Sequence, residues 1–157
     1  MEDELSKAIE RIRDKNILTF RRVESLPEAR ITSIILGILS HYGWDVFNPY
    51  EVAHQYKTSS GKVDVALSEK MKIKILIEIK KCSVDLNSSK PLNQIRRYLN
   101  DEEGVELGVL TNAISWVFFE RDPYSKTDLI KVAEVNIKTN SNSEIKHIFS
   151  NYLSKVK

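Results

Sequence analysis

Two stretches of the chain alternate apolar and polar residues with the period of a β-strand, and both place acids among apolar side chains. They are Gly61 to Leu67 and Ile75 to Lys81. Strand side chains two positions apart share a face, so Glu78 and Lys80 should be neighbours roughly 7 Å apart. Asp64 is the only acid of the first stretch. If the stretches pair as an antiparallel hairpin, these three charged side chains converge on one patch, which suits a divalent metal and a water to be activated.

The alternation also predicts which strand residues face a common core. In the first strand, one face carries Val63, Val65 and Leu67, and the other carries Lys62, Asp64 and Ala66. In the second strand, one face carries Ile73, Ile75, Ile77 and Ile79, and the other carries Lys74, Leu76, Glu78 and Lys80. The acids are therefore expected opposite the purely apolar face of each strand.

Apolar residues spaced three or four apart predict four helices, and short apolar runs predict further strands. The helical stripes are Leu5, Ile9 and Ile12 within about Glu2 to Lys15; Ile31, Ile35, Leu39 and Tyr42 ahead of Gly43; Leu92, Ile95 and Leu99; and Ile145, Ile148, Phe149, Tyr152 and Leu153. The further strands are Glu51 to Tyr56, Leu107 to Thr111, Ser115 to Phe119 and Leu129 to Val135. This order predicts an α/β fold.

Glu28 begins the stripe of the second helix and allows two interpretations. In the first, Ser25 is the N-cap, Pro27 lies in the first turn, and Glu28 completes a capping box by bonding back to Ser25. In the second, Glu28 reaches from the helix into the patch of Asp64 and Glu78 as a third acid. The cap alone explains the residue, but the two acidic strands favour the second interpretation.

The composition is that of a globular chain with one domain. Of the 157 residues 41% are hydrophobic and 29% are charged, and the formal net charge is only +2. No global field therefore attracts a polyanion, and any basic surface must be local. Cys82 is the only cysteine, which excludes an internal disulfide and suits a reducing compartment. We expect a single domain over residues 1–157, with its core at about 25–135.

Several sites and segments are excluded by the sequence. The three histidines have no metal-ligand spacing, so we expect no zinc site. Gly61 and Lys62 lack the upstream glycine and the following Ser or Thr of a phosphate loop, so we expect no nucleotide cofactor. The apolar run from Ile31 to Leu39 is far shorter than the roughly 20 residues of a membrane span. The acidic N-terminus is unlike a secretory signal, and we expect a cytoplasmic protein without a membrane partner.

A structural interpretation of the acidic strands competes with a metal site. Asp64 could form a surface salt bridge with Lys80 or Lys62, which would contribute little to stability. An acid-x-Lys tripeptide is also common, and Glu144-Ile145-Lys146 is a second example. Only the strand context distinguishes Glu78-Ile79-Lys80, because carboxylates on a partly buried strand face are unfavourable unless they are paired or bind metal.

Six short motifs follow one another from roughly Pro27 to Phe119. They are Leu26-Pro27-Glu28-Ala29-Arg30, Leu39 to Val46, Gly61-Lys62-Val63-Asp64, Ile77 to Lys81, Leu92-Asn93-Gln94 to Tyr98, and Val109 to Asn112. Their order and spacing resemble the PD-(D/E)XK nuclease superfamily and, more narrowly, the N-terminal nuclease domain of type I restriction endonuclease R subunits. Val63 stands where the superfamily name has proline. The resemblance implies a restriction-endonuclease-like core, with a central mixed β-sheet flanked by helices.

The resemblance implies a metal-dependent site that hydrolyses DNA. Glu28 matches the helix acid of the superfamily, Asp64 its metal-binding aspartate, and Glu78 with Lys80 its acid-x-Lys strand. Asp64 and Glu78 would bind one or two Mg²⁺ ions, or Mn²⁺ in their place, because both cations prefer oxygen ligands. Glu28 would contribute directly or through water, and the Ile79 carbonyl would be a further ligand. Lys80 would position the attacking water or stabilise the charge on the phosphorus.

The resemblance also implies residues that support the site. Gln94 and Tyr98 match a Gln-x-x-x-Tyr helix that helps to hold the site and the DNA in a subset of these nucleases. Lys81, Arg96 and Arg97 would hold flanking phosphates without reading sequence.

The implied function is a Mg²⁺-dependent deoxyribonuclease, an endonuclease in preference to an exonuclease. A homodimer would let two sites address both strands. The alternative is a catalytically inactive nuclease fold that binds DNA or protein. No helicase motor follows within these residues, so we do not expect a complete R subunit.

Overall fold

The computed structural model describes residues 3–13, 23–125 and 127–155 and is built on a six-stranded sheet. The strands are β1 (Val52–Thr58), β2 (Gly61–Glu69), β3 (Lys72–Ile79), β4 (Leu107–Thr111), β5 (Ser115–Arg121) and β6 (Leu129–Asn136). They lie side by side in chain order, antiparallel except for the parallel pair β3–β4. A parallel pair needs a long crossover connection, and a helix supplies it here. The predicted mixed sheet is confirmed.

Four helices flank the sheet in the described part of the chain: α1 (Glu4–Arg13), α2 (Glu28–His41), α3 (Ser89–Asp101) and α4 (Asn142–Tyr152). Each corresponds to a helix predicted from an apolar stripe. Of the predicted first helix, Glu2, Asp14 and Lys15 lie outside the described residues. None of these four helices has the length and apolarity that a bilayer span requires.

The central strands of the sheet are buried on both faces. On one face, α1, α2 and α4 pack in one apolar cluster with alternate residues of β3, such as Ile75 and Ile77. On the other face, α3 packs through Ile95 and Leu99 in a second cluster that includes Leu76. Because successive strand residues point to opposite faces, β3 contributes to both clusters in turn.

Two strand residues lie on a different face from the one that simple alternation predicts. Val63 and Ile73 pack in the α3 cluster, although their nearest same-parity neighbours Val65 and Ile75 belong to the opposite one. For Ile73 the cause is a register shift in the β2–β3 pairing beside Leu67. Beyond this irregularity the side chains of β3 point to the opposite faces. Val63 lies where β2 has left the regular pairing with β3. The predicted faces are therefore wrong at these two positions.

The start of α2 differs from the predicted capping box. Pro27 is the N-cap residue, with extended backbone angles and no side-chain cap, and Ser25 belongs to a preceding short 3₁₀ turn. Glu28 is consequently the first residue of the helix, whereas the acid of a capping box is the third. A capping box does occur at α4, between Ser141 and Glu144. The predicted end of α2 is confirmed, since Gly43 has a φ of 96°.

Gly108 of β4 lies beneath α3, and we predict that a methyl group there is destabilising. An added Cβ would stand 3.0 Å from Ile95 Cγ1 and closer still to Leu99 Cδ1. Both side chains are fully buried, so they cannot move away freely. Gly108→Ala should lower the free energy of unfolding by about 1–3 kcal/mol, measured by urea denaturation.

Gly37→Ala is the matched control. Gly37 lies within α2, and nothing is within 4 Å of a Cβ built on it. Because alanine is the better helix former, this variant should gain roughly 0.5–1 kcal/mol. A Gly108→Ala protein as stable as the wild type would contradict the close packing of α3 on β4.

Candidate active site

The pairing between β2 and β3 stops short of the strand ends. Its last pair is Val65 with Ile77, although β2 begins at Gly61 and β3 continues to Ile79. The two strands therefore diverge over the segment that contains Asp64. Divergence leaves backbone amides without ladder partners, and buried amides need other acceptors.

Two carboxyl groups accept hydrogen bonds from these amides. The Ile79 amide donates to Asp64 Oδ2 over 2.7 Å, and the Asp64 amide donates to Glu78 Oε1 over 3.2 Å. Each acid thus bonds to the backbone of the facing strand, replacing the bonds that the ladder no longer makes. This places Asp64 and Glu78 side by side at the point of divergence, as the sequence predicts.

Gln55 is a third member of this arrangement that sequence reasoning missed. It lies opposite Asp64, between the pairs His54–Val65 and Tyr56–Val63, and its Nε2 donates to Asp64 Oδ1 over 3.0 Å. Its φ of 52° is unusual for a residue within a strand. Nothing in the sequence pattern distinguishes this glutamine from an exposed polar residue of an outer strand.

Glu78 carries the strongest electrostatic perturbation of the site. Only 3% of the residue is exposed. Burial, followed by the hydrogen bond and the charge of Asp64, raises the pKa of the Glu78 carboxyl from 4.5 to about 8. Lys80 acts in the opposite direction, with its Nζ 3.4 Å from Glu78 Oε2. Glu78 therefore holds a proton at neutral pH in the metal-free protein.

The pair fits a hard divalent cation. Carboxylate oxygens are the ligands that Mg²⁺ prefers, and a cation beside Asp64 would favour the ionised form of Glu78 that burial disfavours. Within the described ranges, no group of three or more His, Cys, Asp or Glu side chains is placed to hold a metal. Mg²⁺ commonly takes only one or two protein carboxylates and keeps several waters, so two acids are sufficient.

The structure does not gather Glu28 into this pair. Glu28 is exposed in the first turn of α2, and α2 packs on the sheet face opposite to α3. Glu78 shares its side of β3 with Leu76, which faces α3. Of the three predicted acids, only Asp64 and Glu78 lie side by side in this structure. A role for Glu28 stays a prediction. The same holds for the Ile79 carbonyl as a ligand.

The other predicted helix residues, Gln94 and Tyr98, hold the hairpin that carries Asp64. The buried Tyr98 hydroxyl donates to the Lys62 carbonyl over 3.0 Å. The same hydroxyl accepts a bond of 3.1 Å from Gln94 Nε2. Tyr98 thus connects α3 to the backbone of β2 two residues before Asp64, where β2 no longer pairs with β3.

A polar groove runs from Lys80 along the outer side of α3. It is lined by Lys80, Ser89, Lys90, Asn93, Gln94 and Arg97. Of the residues predicted to hold phosphates, Arg97 lines the groove and Lys81 is exposed. Arg96 does not line it. Lys90 and Asn93 were missed by sequence reasoning, although their spacing from Arg97 on a helix could have indicated them.

Arg96 is turned toward its own helix. Its guanidinium donates from Nη1 to Asn93 Oδ1 over 2.7 Å, and the residue is half-buried. Its Nε is buried and has no hydrogen-bond partner among the residues that the structure describes. The two adjacent arginines, predicted together as phosphate ligands, thus have different surroundings.

A family model described as "Type I restriction enzyme R protein N terminus" matches residues 41–145. The chain belongs to this family. The matched range contains Asp64, Glu78 and Lys80 but begins after Glu28. No curated protein sequence matches the chain.

One solved structure, that of the type IIG restriction endonuclease BpuSI, has a similar fold. The TM-score is 0.56 and the sequence identity is 21%. The similarity covers 74% of this chain but 15% of that one, so this member of the R protein N terminus family corresponds to a small part of the larger enzyme. The likeness confirms the predicted restriction-endonuclease-like fold. Membership of the PD-(D/E)XK superfamily stays a prediction.

The raised pKa of Glu78 predicts that the stability of the protein depends on pH. Replacing the carboxyl group by the amide of glutamine should remove this dependence. With a pKa of 4.5 unfolded and about 8 folded, the protonated carboxyl contributes fully below pH 4.5, and its contribution is lost as the pH rises through 8. In EDTA, Glu78→Gln should therefore gain stability relative to wild type as the pH increases over this window. We expect a difference on the order of a few kcal/mol, measured by urea denaturation at each pH.

Glu103→Gln, at an exposed carboxylate of the loop after α3, is the control and should follow the wild-type pH profile. Parallel profiles for Glu78→Gln and wild type would show that Glu78 ionises as easily in the folded protein as in the unfolded chain.

Proposed function

We propose that the chain is a metal-dependent deoxyribonuclease whose site consists of Asp64, Glu78 and Lys80. The observation that carries the proposal is the buried Glu78 carboxyl beside Asp64 at the divergence of β2 and β3, with the Lys80 ammonium 3.4 Å away. The family description names a restriction enzyme protein, and the structure of similar fold is a restriction endonuclease. Both support DNA as the substrate.

The carboxyl groups of Asp64 and Glu78 would hold Mg²⁺, or Mn²⁺ in its place. The metal would supply a water of lowered pKa and neutralise charge that develops on the scissile phosphate. Gln55 and the Ile79 amide orient Asp64, since each donates to one of its two oxygens. The site therefore has one acid with fixed geometry and one whose proton must leave before it can ligate.

In this proposal Lys80 acts on the reacting phosphate. Its side chain is 20% exposed, so the ammonium is partly desolvated while it still reaches the groove surface. A partly desolvated cation stabilises developing negative charge more strongly than one in water. Its Nζ lies 3.4 Å from Glu78 Oε2, so the ammonium stands beside both acids.

A binding module without catalysis would not require this arrangement. Phosphates are held by exposed basic groups, and two adjoining carboxyl groups beside those basic groups add nothing to anion binding. Glu78 therefore favours the nuclease over the inactive alternative. We propose an endonuclease, for which cleavage of covalently closed circular DNA is the distinguishing activity.

Removing either the metal or a site residue should abolish cleavage. We expect the full chain to convert closed circular DNA to nicked or linear forms with Mg²⁺, and EDTA to stop the reaction. Asp64→Asn and Lys80→Ala should each lower the rate at least about 100-fold, since each removes an interaction with the reacting groups. Gel electrophoresis measures the products, and circular dichroism checks folding.

Lys72→Ala is the matched control for Lys80→Ala. Lys72 is exposed at the opposite end of β3 from Lys80, so the Lys72→Ala protein should cut DNA as fast as the wild type. Glu28→Gln tests the third acid: a loss like that of Asp64→Asn would support a three-acid site, and a wild-type rate would limit the site to two. Cleavage by Asp64→Asn at the wild-type rate would refute the assignment. Salt-sensitive DNA binding without product would support the inactive alternative.

Metal binding should be detectable without DNA. A ligand that binds only the folded state raises its stability, by about 2.7 kcal/mol at 100 times the dissociation constant. For a chain of this size, Mg²⁺ or Mn²⁺ at that ratio should raise the melting temperature by roughly 5–10 °C. Asp64→Asn should lose this shift and Glu103→Gln should keep it. An equal shift in all three proteins would place the bound metal elsewhere.

A further inference from the structure

The groove beside Lys80 has a lining without apolar or aromatic side chains. Its walls consist of three cations, two amides and one hydroxyl: Lys80, Lys90, Arg97, Asn93, Gln94 and Ser89. No acid lines it. Recognition of unstacked bases relies on aromatic side chains, and none is present among these six residues. A lining of cations and neutral hydrogen-bonding groups matches the phosphates of a nucleic acid backbone instead.

Two of the cations are spaced regularly along α3. Lys90, Asn93 and Arg97 are exposed, and their spacing of three and four residues places them on one side of the helix, away from the buried Ile95 and Leu99. From Lys90 to Arg97 the helix rises about 10 Å. A DNA strand rises about 3.4 Å per nucleotide along the duplex axis, so this length corresponds to about three nucleotides.

The two cations are free to take an external anion. Neither Lys90 nor Arg97 forms a salt bridge with any residue that the structure describes. The charge of Arg97 helps to lower the pKa of Asp101. Asp101 Oδ2, however, already accepts a hydrogen bond of 2.7 Å from the Ser60 amide. Arg96, by contrast, already donates to Asn93.

We propose that Lys90 and Arg97 each bind one phosphate of the DNA strand that enters the site at Lys80. This inference rests on the proposed function, because it concerns the DNA held next to the same site. Lys90 lies next to Ser89 at the start of α3, and Arg97 lies two turns further along, so the strand follows the axis of α3. The contacts are to phosphates, and they orient the strand without reading its sequence.

The test is the salt dependence of DNA binding by the full chain. Fluorescence anisotropy measures the dissociation constant for a short labelled duplex and for one of its strands, between about 50 and 200 mM salt, with EDTA present to prevent cleavage. Lys90→Gln and Arg97→Gln should each weaken binding and reduce the slope of log affinity against log salt by about 0.9 on duplex or about 0.7 on single strand. The double variant should lose about twice as much.

Lys72→Gln is the charge-matched control and should keep the wild-type slope, because it removes an exposed lysine far from the groove. Arg97→Lys should restore most of the slope lost in Arg97→Gln, since the slope counts charges. A purely structural role of Arg97 would instead appear as lower stability with an unchanged slope.

Two outcomes would overturn the proposal: groove variants with the wild-type slope, and a wild-type chain that does not bind DNA. Cleavage assays on the same proteins separate this from the proposed function. If the groove variants keep the wild-type slope and the wild-type protein cuts DNA, the phosphate subsites are refuted but the nuclease function is not. Reduced slopes in a protein that never cuts would support the subsites and refute the nuclease.

Discussion

The buried carboxyl group of Glu78 is the constraint on which the arrangement of this site depends. It stands at the end of β3, where β2 has separated, and it accepts a bond from the Asp64 amide. Burial disfavours the ionised form of this carboxyl group and raises its pKa to about 8. Its hydrogen bond to the Asp64 amide replaces a bond of the strand ladder, but a neutral acceptor would make the same bond without the cost of a buried acid. The proposed metal site gives this acid a reason to be ionisable.

At the separation of β2 and β3, hydrogen bonds connect α3 to the β2 side of the gap. Tyr98 donates to the Lys62 carbonyl, and Asp101 accepts from the Ser60 amide, so the tip of the β1–β2 hairpin is bonded to the helix. Arg121 of β5 in turn donates to the Leu99 carbonyl at the end of α3. One helix therefore positions the strand of Asp64 and, on its outer side, supplies the groove through which we propose the substrate runs.

The secondary structure was predictable because its signals are local. The apolar stripes of α2, α3 and α4, the glycine after α2 and the period-two run of β3 each report an element directly. The errors arise where geometry departs from an ideal element. Ile73 changes face at a register shift, and Val63 does so where β2 no longer pairs with β3. The capping pattern before α2 fails because Pro27 takes the N-cap position itself.

By itself, the sequence determined the α/β class, the order of the elements and the two strands that bring Asp64 to Glu78 and Lys80, because hydrophobic period and strand alternation depend on neighbours in the chain. Only the tertiary structure decided that Glu28 stays outside the pair, that Gln55 joins it, and that Arg97 faces the groove while Arg96 does not. These outcomes depend on which face of the sheet each helix covers and on where two strands diverge. Both are set by contacts between distant segments, which no local pattern encodes.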